Sequence, residues 1–401
     1  MSVSMRPSDV PVKTTAEPVA AIARRTTVDP RIPALVPGFD APFFQAGLAG
    51  YSDAAMRLVA RRHGCPYCVT EALLDLTLIN GGKGRTREDP DLLAAECGTG
   101  DPESNRAAGL DDHPIAGQIM GTYPDEMARG AALLVGMNYD SIDVNLACPV
   151  KKIRKRNRGG HFLAHPDDAI AVLRAVRDAV PPSLPTTVKM RRGSDDTPES
   201  ARRFERIFDA AYELGYAWVT VHCRTVEQKY LGPGRWPFLT DLVARRPDRL
   251  IFGSGDVWTV DDIFAMLELT GVHAVSVARG CIGNPWIFRQ ARQLMVGQTP
   301  AAPTVDEQRE ALLMHFAYAV RLHGEGAASR MMRKFGIKFS SHHPASDVVK
   351  ADFIRCASVD DWQRVVDTHY PGSGPASGFG AAPTVEAIMT GPISDRSRRP
   401  G

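Results

Sequence analysis

The sequence predicts a (β/α)8 barrel followed by a small all-α domain, and three observations carry that reading. Eight short apolar runs recur between residues 42 and 280, most intervals between them are helix-like, and beyond about residue 302 only helix-like segments remain. Continuous apolar strands alternating with amphipathic helices mean a parallel sheet covered on both faces. Eight strands in roughly 240 residues suit a closed barrel better than an open doubly wound sheet.

Taken in order, residues 1–36 are rich in Pro, Thr, Ala and Val without periodicity and are expected to form a flexible leader. The barrel is expected over 37–300. Its strands are "PFFQAG" (42–47), "PYCVTEA" (66–72), "IAGQIMG" (115–121) and "SIDVNLA" (141–147), then "TTVKMRRG" (186–193), "WVTVHCR" (218–224), "LIFGSGD" (250–256) and "AVSVARG" (274–280). Helices fall between them, as in "HPDDAIAVLRAVRDAV" (165–180), where Asp167 and Asp168 occupy the first turn and favour the helix dipole. The interval 81–113 is Gly- and Asp-rich and is expected to be an elaborated loop after the second strand. Residues 302–370 read as helices, beginning with "VDEQREALLMHFAYAVRLHG", and the Gly-, Pro-, Ala- and Ser-rich 371–401 as a flexible tail.

At 401 residues the chain has room for one large and one small domain, and 44% hydrophobic with 23% charged residues is ordinary for a globular protein. A net charge of +2 argues against bulk binding to nucleic acid or membrane, so any polyanion contact must be local. Seven cysteines, an odd number, without a secretory hydrophobic region suggest reduced thiols in a cytoplasmic protein. Cys65 and Cys68 form a C-x-x-C with no second pair at zinc spacing, so no metal is expected and the pair reads as small residues entering a strand. No apolar stretch reaches the ~20 residues of a membrane span.

Charge is instead concentrated in "ACPVKKIRKRNRGG" (147–160), where Lys151, Lys152, Arg154, Lys155, Arg156 and Arg158 follow Cys148 directly. Barrel chemistry gathers at the carboxyl ends of strands, and here those ends carry Glu71, Gln118, Asn145, Cys148, Lys189, Arg191, His222 and Arg224. One such residue has an ordinary structural explanation; polar groups at the matching ends of at least six strands need a shared ligand. The last two strands end in Gly253-Ser254-Gly255-Asp256 and Ala278-Arg279-Gly280, small-residue turns whose N–H groups and arginine suit a phosphate monoester. Whether that phosphate belongs to a cofactor or a substrate stays open at this point.

Several segments, in order, resemble the tRNA-dihydrouridine synthase family over about 41–370: "AGYSDAAMR" (49–57), "TEALLD", "QIMGTYPDEMARGA", "DVNLACPVKKIRKRNRGGHFLAHP", "HCRTVEQKYLGPGRW", "GSGDVWTVDD" and "ARGCIGNPWIF". "RMMRKFGIKFSSHHP" (330–344) resembles the basic helix of the family's C-terminal domain. The resemblance implies an FMN-dependent enzyme, recharged by NADPH or NADH, that reduces uridine in tRNA; a monomer is expected. It implies that Cys148 protonates uracil C5 and that Asn145 holds the base. Gln118 and Lys189, with Gly47 and Leu48, would contact the flavin ring, while His222, Ser254, Gly255, Asp256, Ala278 and Arg279 would hold its ribityl-phosphate end. Arg191 and Arg224 would lie near the entering RNA, joined by Lys151, Lys152, Arg154 and Lys155 and by Arg333 and Lys334 of the basic helix. The chain departs from the family's usual residues at Gly47 and Leu48, at Ser254 and at Ala278, which leaves the subfamily open. Two other readings are an FMN barrel acting on a free pyrimidine, in the manner of dihydroorotate dehydrogenase, and an RNA-binding relative without redox activity. The first does not need the basic run, and the second does not need Cys148, Lys189 and His222 together. A thiol beside six cations would tend to ionise, so the basic side chains are expected to point outward or to be neutralised by RNA phosphates.

Overall fold

The computed structural model describes residues 14–81 and 109–371. Residues 82–108 of the expected elaborated loop, and the expected tail from 372 onward, lie outside the described residues. Two short helices, α1 (Val19–Arg25) and α2 (Arg31–Leu35), precede the barrel. The barrel then runs β1 (Phe43–Gln45), α3 (Ala54–Arg62), β2 (Cys68–Val69), β3 (Leu73–Leu74), α4 (Asp75–Ile79), β4 (Ile115–Met120), α5 (Pro124–Val135) and β5 (Ser141–Leu146). It continues with α6 (Lys151–Arg154), α7 (Pro166–Ala179), β6 (Thr186–Arg191), α8 (Pro198–Glu213), β7 (Trp218–His222), α9 (Trp236–Arg245), β8 (Ile251–Ser254), α10 (Val260–Thr270), β9 (Ala274–Val277) and α11 (Trp286–Met295).

All strand pairings are parallel, and β2 lies beside both β1 and β4, which closes the sheet. Of the expected second strand, 66–72, only β2 forms, and a further short piece, β3, follows beyond it; both pair with β4. The break between them frees Glu71, whose carboxylate turns to accept the Gly50 N–H at 2.7 Å. The barrel thus has eight staves, the second of them split.

Alternation along each strand sorts the interior into layers. Phe44, Tyr67, Trp218 and Phe252 fill the amino end, with Phe39 entering from the preceding loop. Trp218 stacks on Phe252 at 4.9 Å and Phe39 on Tyr67 at 4.6 Å. Ile32 and Val36 seal this plug from below, while Ile22 and Ala23 are buried beside α10 and α11. Part of the segment expected as a leader is therefore helical and packed. Its helices, of 7 and 5 residues, are too short for a period to register in the sequence.

Beyond the barrel come α12 (Val305–His323), α13 (Glu325–Phe339), α14 (Ser346–Arg355) and α15 (Val359–His369). Capping boxes Thr304/Glu307 and Ser358/Asp361 start α12 and α15 by satisfying otherwise unpaired N–H groups. This helical layer rests on the barrel through α12 against α3. His323 Nε2 lies 2.8 Å from the carboxylate of Asp53, the N-cap of α3. Phe339 meets Trp286 edge-on at 5.6 Å. No described helix is long and apolar enough to cross a membrane.

Candidate active site

Above the aromatic plug, the inward residues of β4, β5 and β6 become polar and bond to one another in series. Asp143 accepts from Thr187 Oγ1 at 2.6 Å and from Gln118 Nε2 at 2.7 Å. Gln118 Oε1 accepts from Asn145 Nδ2 at 2.7 Å. Asn145 Oδ1 in turn accepts the backbone N–H groups of Ala147 at 3.0 Å and Cys148 at 3.2 Å. Burial raises the Asp143 carboxyl, opposed by the bonds from Thr187 and Gln118. On β6, Lys189 donates to Ser276 Oγ at 3.3 Å. Burial brings this ammonium down to about 8, opposed by the charge of Asp143. A small cavity is lined by Gly47, Gln118, Asp143, Lys189, Thr220 and Ser276. Gly47 is needed there, because a Cβ would stand 2.4 Å from the Thr70 carbonyl oxygen and 3.2 Å from Gln118 Oε1.

Cys148 follows β5 at the mouth and is half-buried. The two glycines that close the basic run wrap it. Gly159 adopts φ 56°, and a Cβ there would lie 2.8 Å from Cys148 Cβ. Gly160 donates to the Cys148 carbonyl at 3.0 Å. Burial pushes the thiol up, against smaller opposing effects of the Val150 N–H and of Arg191. The thiol is therefore protonated at neutral pH, despite the neighbouring cations.

The basic run divides in two. Lys151, Lys152, Lys155 and Arg156 are exposed and Arg154 is half-buried. Arg158 is buried and faces inward: its Nε donates to Thr122 Oγ1 at 3.0 Å and its Nη2 lies 3.5 Å from Asp75. Thr122 Oγ1 then donates to the Arg156 carbonyl at 2.9 Å, so Arg158 anchors the loop that presents the rest.

At the ends of β7, β8 and β9 a second small cleft is lined by His222, Ser254, Gly255, Asp256, Trp258, Ala278 and Arg279. His222 Nδ1 accepts the Arg224 N–H at 3.1 Å. Burial, then nearby cations led by Arg191, holds this imidazole well below its usual range. It is neutral, and because Nδ1 accepts, Nε2 carries the proton and is a fixed donor. Arg279 lies over the Trp258 ring at 4.4 Å and the Tyr230 ring at 5.2 Å. Gly255 at φ 123° permits the turn, since a Cβ would meet Cys223 Sγ at 2.5 Å.

The fold gathers Gln118, Asn145, Cys148, Lys189, His222, Ser254, Gly255, Ala278 and Arg279 at one end of the barrel, and Leu48 sits half-buried on the loop after β1. Several residues expected at the RNA or the phosphate are placed otherwise. Arg224 is fully buried, donating to both Asp256 oxygens at 2.6 and 2.7 Å and to the Gly232 carbonyl at 2.6 Å. Asp256, expected at the phosphate, does line the second cleft, with its carboxylate engaged by Arg224 and by the Gly234 N–H at 2.6 Å. Arg191 is also buried, and its guanidinium binds the carbonyls of Ala147, Thr225 and Lys229, each at 2.8 Å. Lys334 donates to the Gly50 carbonyl and lies 4.8 Å from the Tyr51 ring centre, whereas Arg333 is exposed. Asp143 was not anticipated, although its place two residues before Asn145 on one strand puts both on the inner face. Among the described residues no group of three or more His, Cys, Asp or Glu could hold a metal ion.

A family model for dihydrouridine synthases matches residues 45–371. A probable tRNA-dihydrouridine synthase of Treponema pallidum is 33% identical over 304 residues, covering 74% of this chain and 84% of that protein. The tRNA-dihydrouridine synthase B of Xanthomonas campestris is 30% identical over 309 residues, covering 77% of this chain and 85% of that protein. Among solved structures, morphinone reductase in complex with tetrahydroNAD aligns over 67% of this chain and 89% of its own, with 12% identity and a TM-score of 0.44.

Proposed function

This chain belongs to the dihydrouridine synthase family, and from that premise we propose that it reduces uridine in tRNA to 5,6-dihydrouridine, with Cys148 as the proton donor. The observation that carries the proposal is a half-buried thiol at the barrel mouth, its pKa raised by burial, directly followed by the exposed Lys151, Lys152, Lys155 and Arg156.

The residues present suit FMN. Gly47 leaves open the space that a side chain would fill beside Gln118, and Lys189 supplies positive charge to the same cavity. Arg279 and the Nε2–H of His222 supply donors in the adjoining cleft, and Ser276 lines both spaces. These are donors suited to a ring system with electron-rich edges and to a phosphate monoester. When bound and reduced by NADPH or NADH, FMN supplies the hydride that adds to uracil C6.

The chain's own residues do the rest. Hydride addition to the C5=C6 bond, conjugated with the C4 carbonyl, leaves an enolate that needs a proton at C5. Cys148 gives that proton from Sγ and regains one from solvent before the next turnover. Asn145 has committed Oδ1 to the Cys148 backbone and one N–H to Gln118, so its second N–H is left for a carbonyl of the base. Lys151, Lys152, Arg154, Lys155 and Arg156 bind the RNA backbone, and the target base leaves the stack to reach the mouth.

The test is to incubate unmodified tRNA with the purified protein, FMN and NADPH and to weigh its nucleosides. Uridine gaining two hydrogens supports the proposal. Reduction of free uridine or orotate with untouched tRNA would favour the free-pyrimidine reading, and flavin binding with no product in any arm would overturn it.

A further inference from the structure

We infer that Asp143 is a positioning residue: it sets the direction of a hydrogen-bond relay through Gln118 and Asn145 that holds the Cys148 backbone in place. The side chain is 5% exposed, lies inside the barrel beside Gln118 and Lys189, and is spaced from Cys148 by two intervening side chains. Both Asp143 oxygens are met by donors, Thr187 Oγ1 and Gln118 Nε2, so the carboxylate acts only as an acceptor, whereas an amide has one accepting and one donating end. Asp143 therefore forces Gln118 to turn Nε2 toward it, at 2.7 Å. That leaves Gln118 Oε1 facing Asn145, which must answer with Nδ2, at 2.7 Å. Asn145 Oδ1 is then directed at the two N–H groups of Ala147 and Cys148. Each link has one polarity, and all of them are fixed by the carboxylate at the far end.

Asp143→Asn keeps the volume and reverses the polarity. The introduced amide would keep its oxygen on Thr187 and turn its NH2 toward Gln118. Gln118 would flip to meet it, Asn145 would flip in turn, and an NH2 would face the Ala147 and Cys148 N–H groups. Donors would then oppose donors. The loop carrying Cys148 would move off its anchor, and the thiol would lose the burial that holds it protonated. Adding Gln118→Glu restores the sequence of donors and acceptors, because the carboxylate moved to that position accepts both from the introduced amide and from Asn145. It also restores the charge that Asp143→Asn removes, so the double variant matches the wild type in both, while Gln118→Met, which keeps the Asp143 carboxylate, separates loss of bond direction from loss of charge.

The significance for catalysis rests on the proton-donor role of Cys148, but the test does not use RNA. Iodoacetamide alkylation of Cys148 in the intact protein is followed by peptide mass spectrometry across pH. Asp143→Asn is expected to raise the rate at neutral pH roughly tenfold, as for a thiol pKa lowered by about one unit. Asp143→Asn with Gln118→Glu should return the profile to that of the wild type. Gln118→Met cuts the relay one link nearer the thiol, should show the same gain, and answers the question if Asp143→Asn does not fold. An unaltered alkylation profile in the folded single variants would overturn the inference, as would a folded double variant that shows no rescue. Absence of uridine reduction by the wild type, with the expected alkylation pattern in the variants, would instead count against the proposed function alone.

Discussion

Replacing Arg224 by methionine separates a structural arginine from an RNA-binding one. The change removes both bonds to Asp256, at 2.6 and 2.7 Å, and both bonds to the Gly232 carbonyl, at 2.6 and 3.0 Å. The two side chains are 0% and 2% exposed, so Asp256 would be left as a buried carboxylate without its main counter-ion. Breaking a buried pair from one side costs about 3–5 kcal/mol. Here the Gly234 N–H at 2.6 Å stays, and Arg279 stands 3.7 Å away, which places the cost near the lower figure. A loss of about 3 kcal/mol lowers the folded-to-unfolded ratio roughly a hundredfold. Urea unfolding of wild type and variant measures it as a fall in midpoint at constant slope. FMN should also be held more weakly, because Asp256 fixes the turn after β8. The salt dependence of tRNA binding should stay the same, since Arg224 reaches no phosphate. A variant of normal stability with a shallower salt dependence would refute this reasoning and return Arg224 to the RNA surface.

Gly159→Ala puts a methyl 2.8 Å from Cys148 Cβ at a φ of 56°, so the thiol must shift; product formation should fall roughly a hundredfold with FMN absorbance retained, as single-turnover assays would read. Changing Lys151, Lys152, Arg154 and Lys155 together to glutamine should weaken tRNA retention and cut its salt slope by up to about 3, while NADPH oxidation by the flavoprotein stays constant. His63 and His315 are both held down to about 4 by burial. The unfolded chain therefore binds more protons between pH 4 and 6.5, so the stability these groups contribute is complete above 6.5 and is lost as pH falls toward 4. Urea midpoints across that window should drop, and less steeply in His315→Gln.

The barrel and the mouth of the site were legible because strand alternation and residue chemistry coincide there. Asn145, Cys148, Lys189 and His222 stand at strand ends where a core would take apolar residues, so their position alone marks them. Arg191 and Arg224 stand at equivalent ends, yet their partners are loop carbonyls and Asp256, which lie far along the chain and meet them only in the closed barrel. The same holds for Arg158, which looks like one more cation in the run until Thr122, from the loop after β4, and Asp75, at the start of α4, approach it. Asp143 was hidden by its neighbours: "SIDVNLA" reads as a buried strand, and only the bonds to Thr187 and Gln118 show how a carboxylate is accommodated within it. The tension between a reactive thiol and adjacent cations is resolved by direction, since Lys151, Lys152, Lys155 and Arg156 are exposed, Arg158 is bound to Thr122 and Asp75, and burial dominates at Sγ.

The central claim is that Cys148 donates the proton to C5. Single-turnover oxidation of the reduced flavoprotein by unmodified tRNA tests it most directly, in wild type and Cys148→Ala at matched FMN loading and saturating tRNA. The account predicts a loss of about 10²–10⁴ in rate with FMN loading and tRNA affinity unchanged. An equal rate of dihydrouridine formation in the two proteins would contradict it.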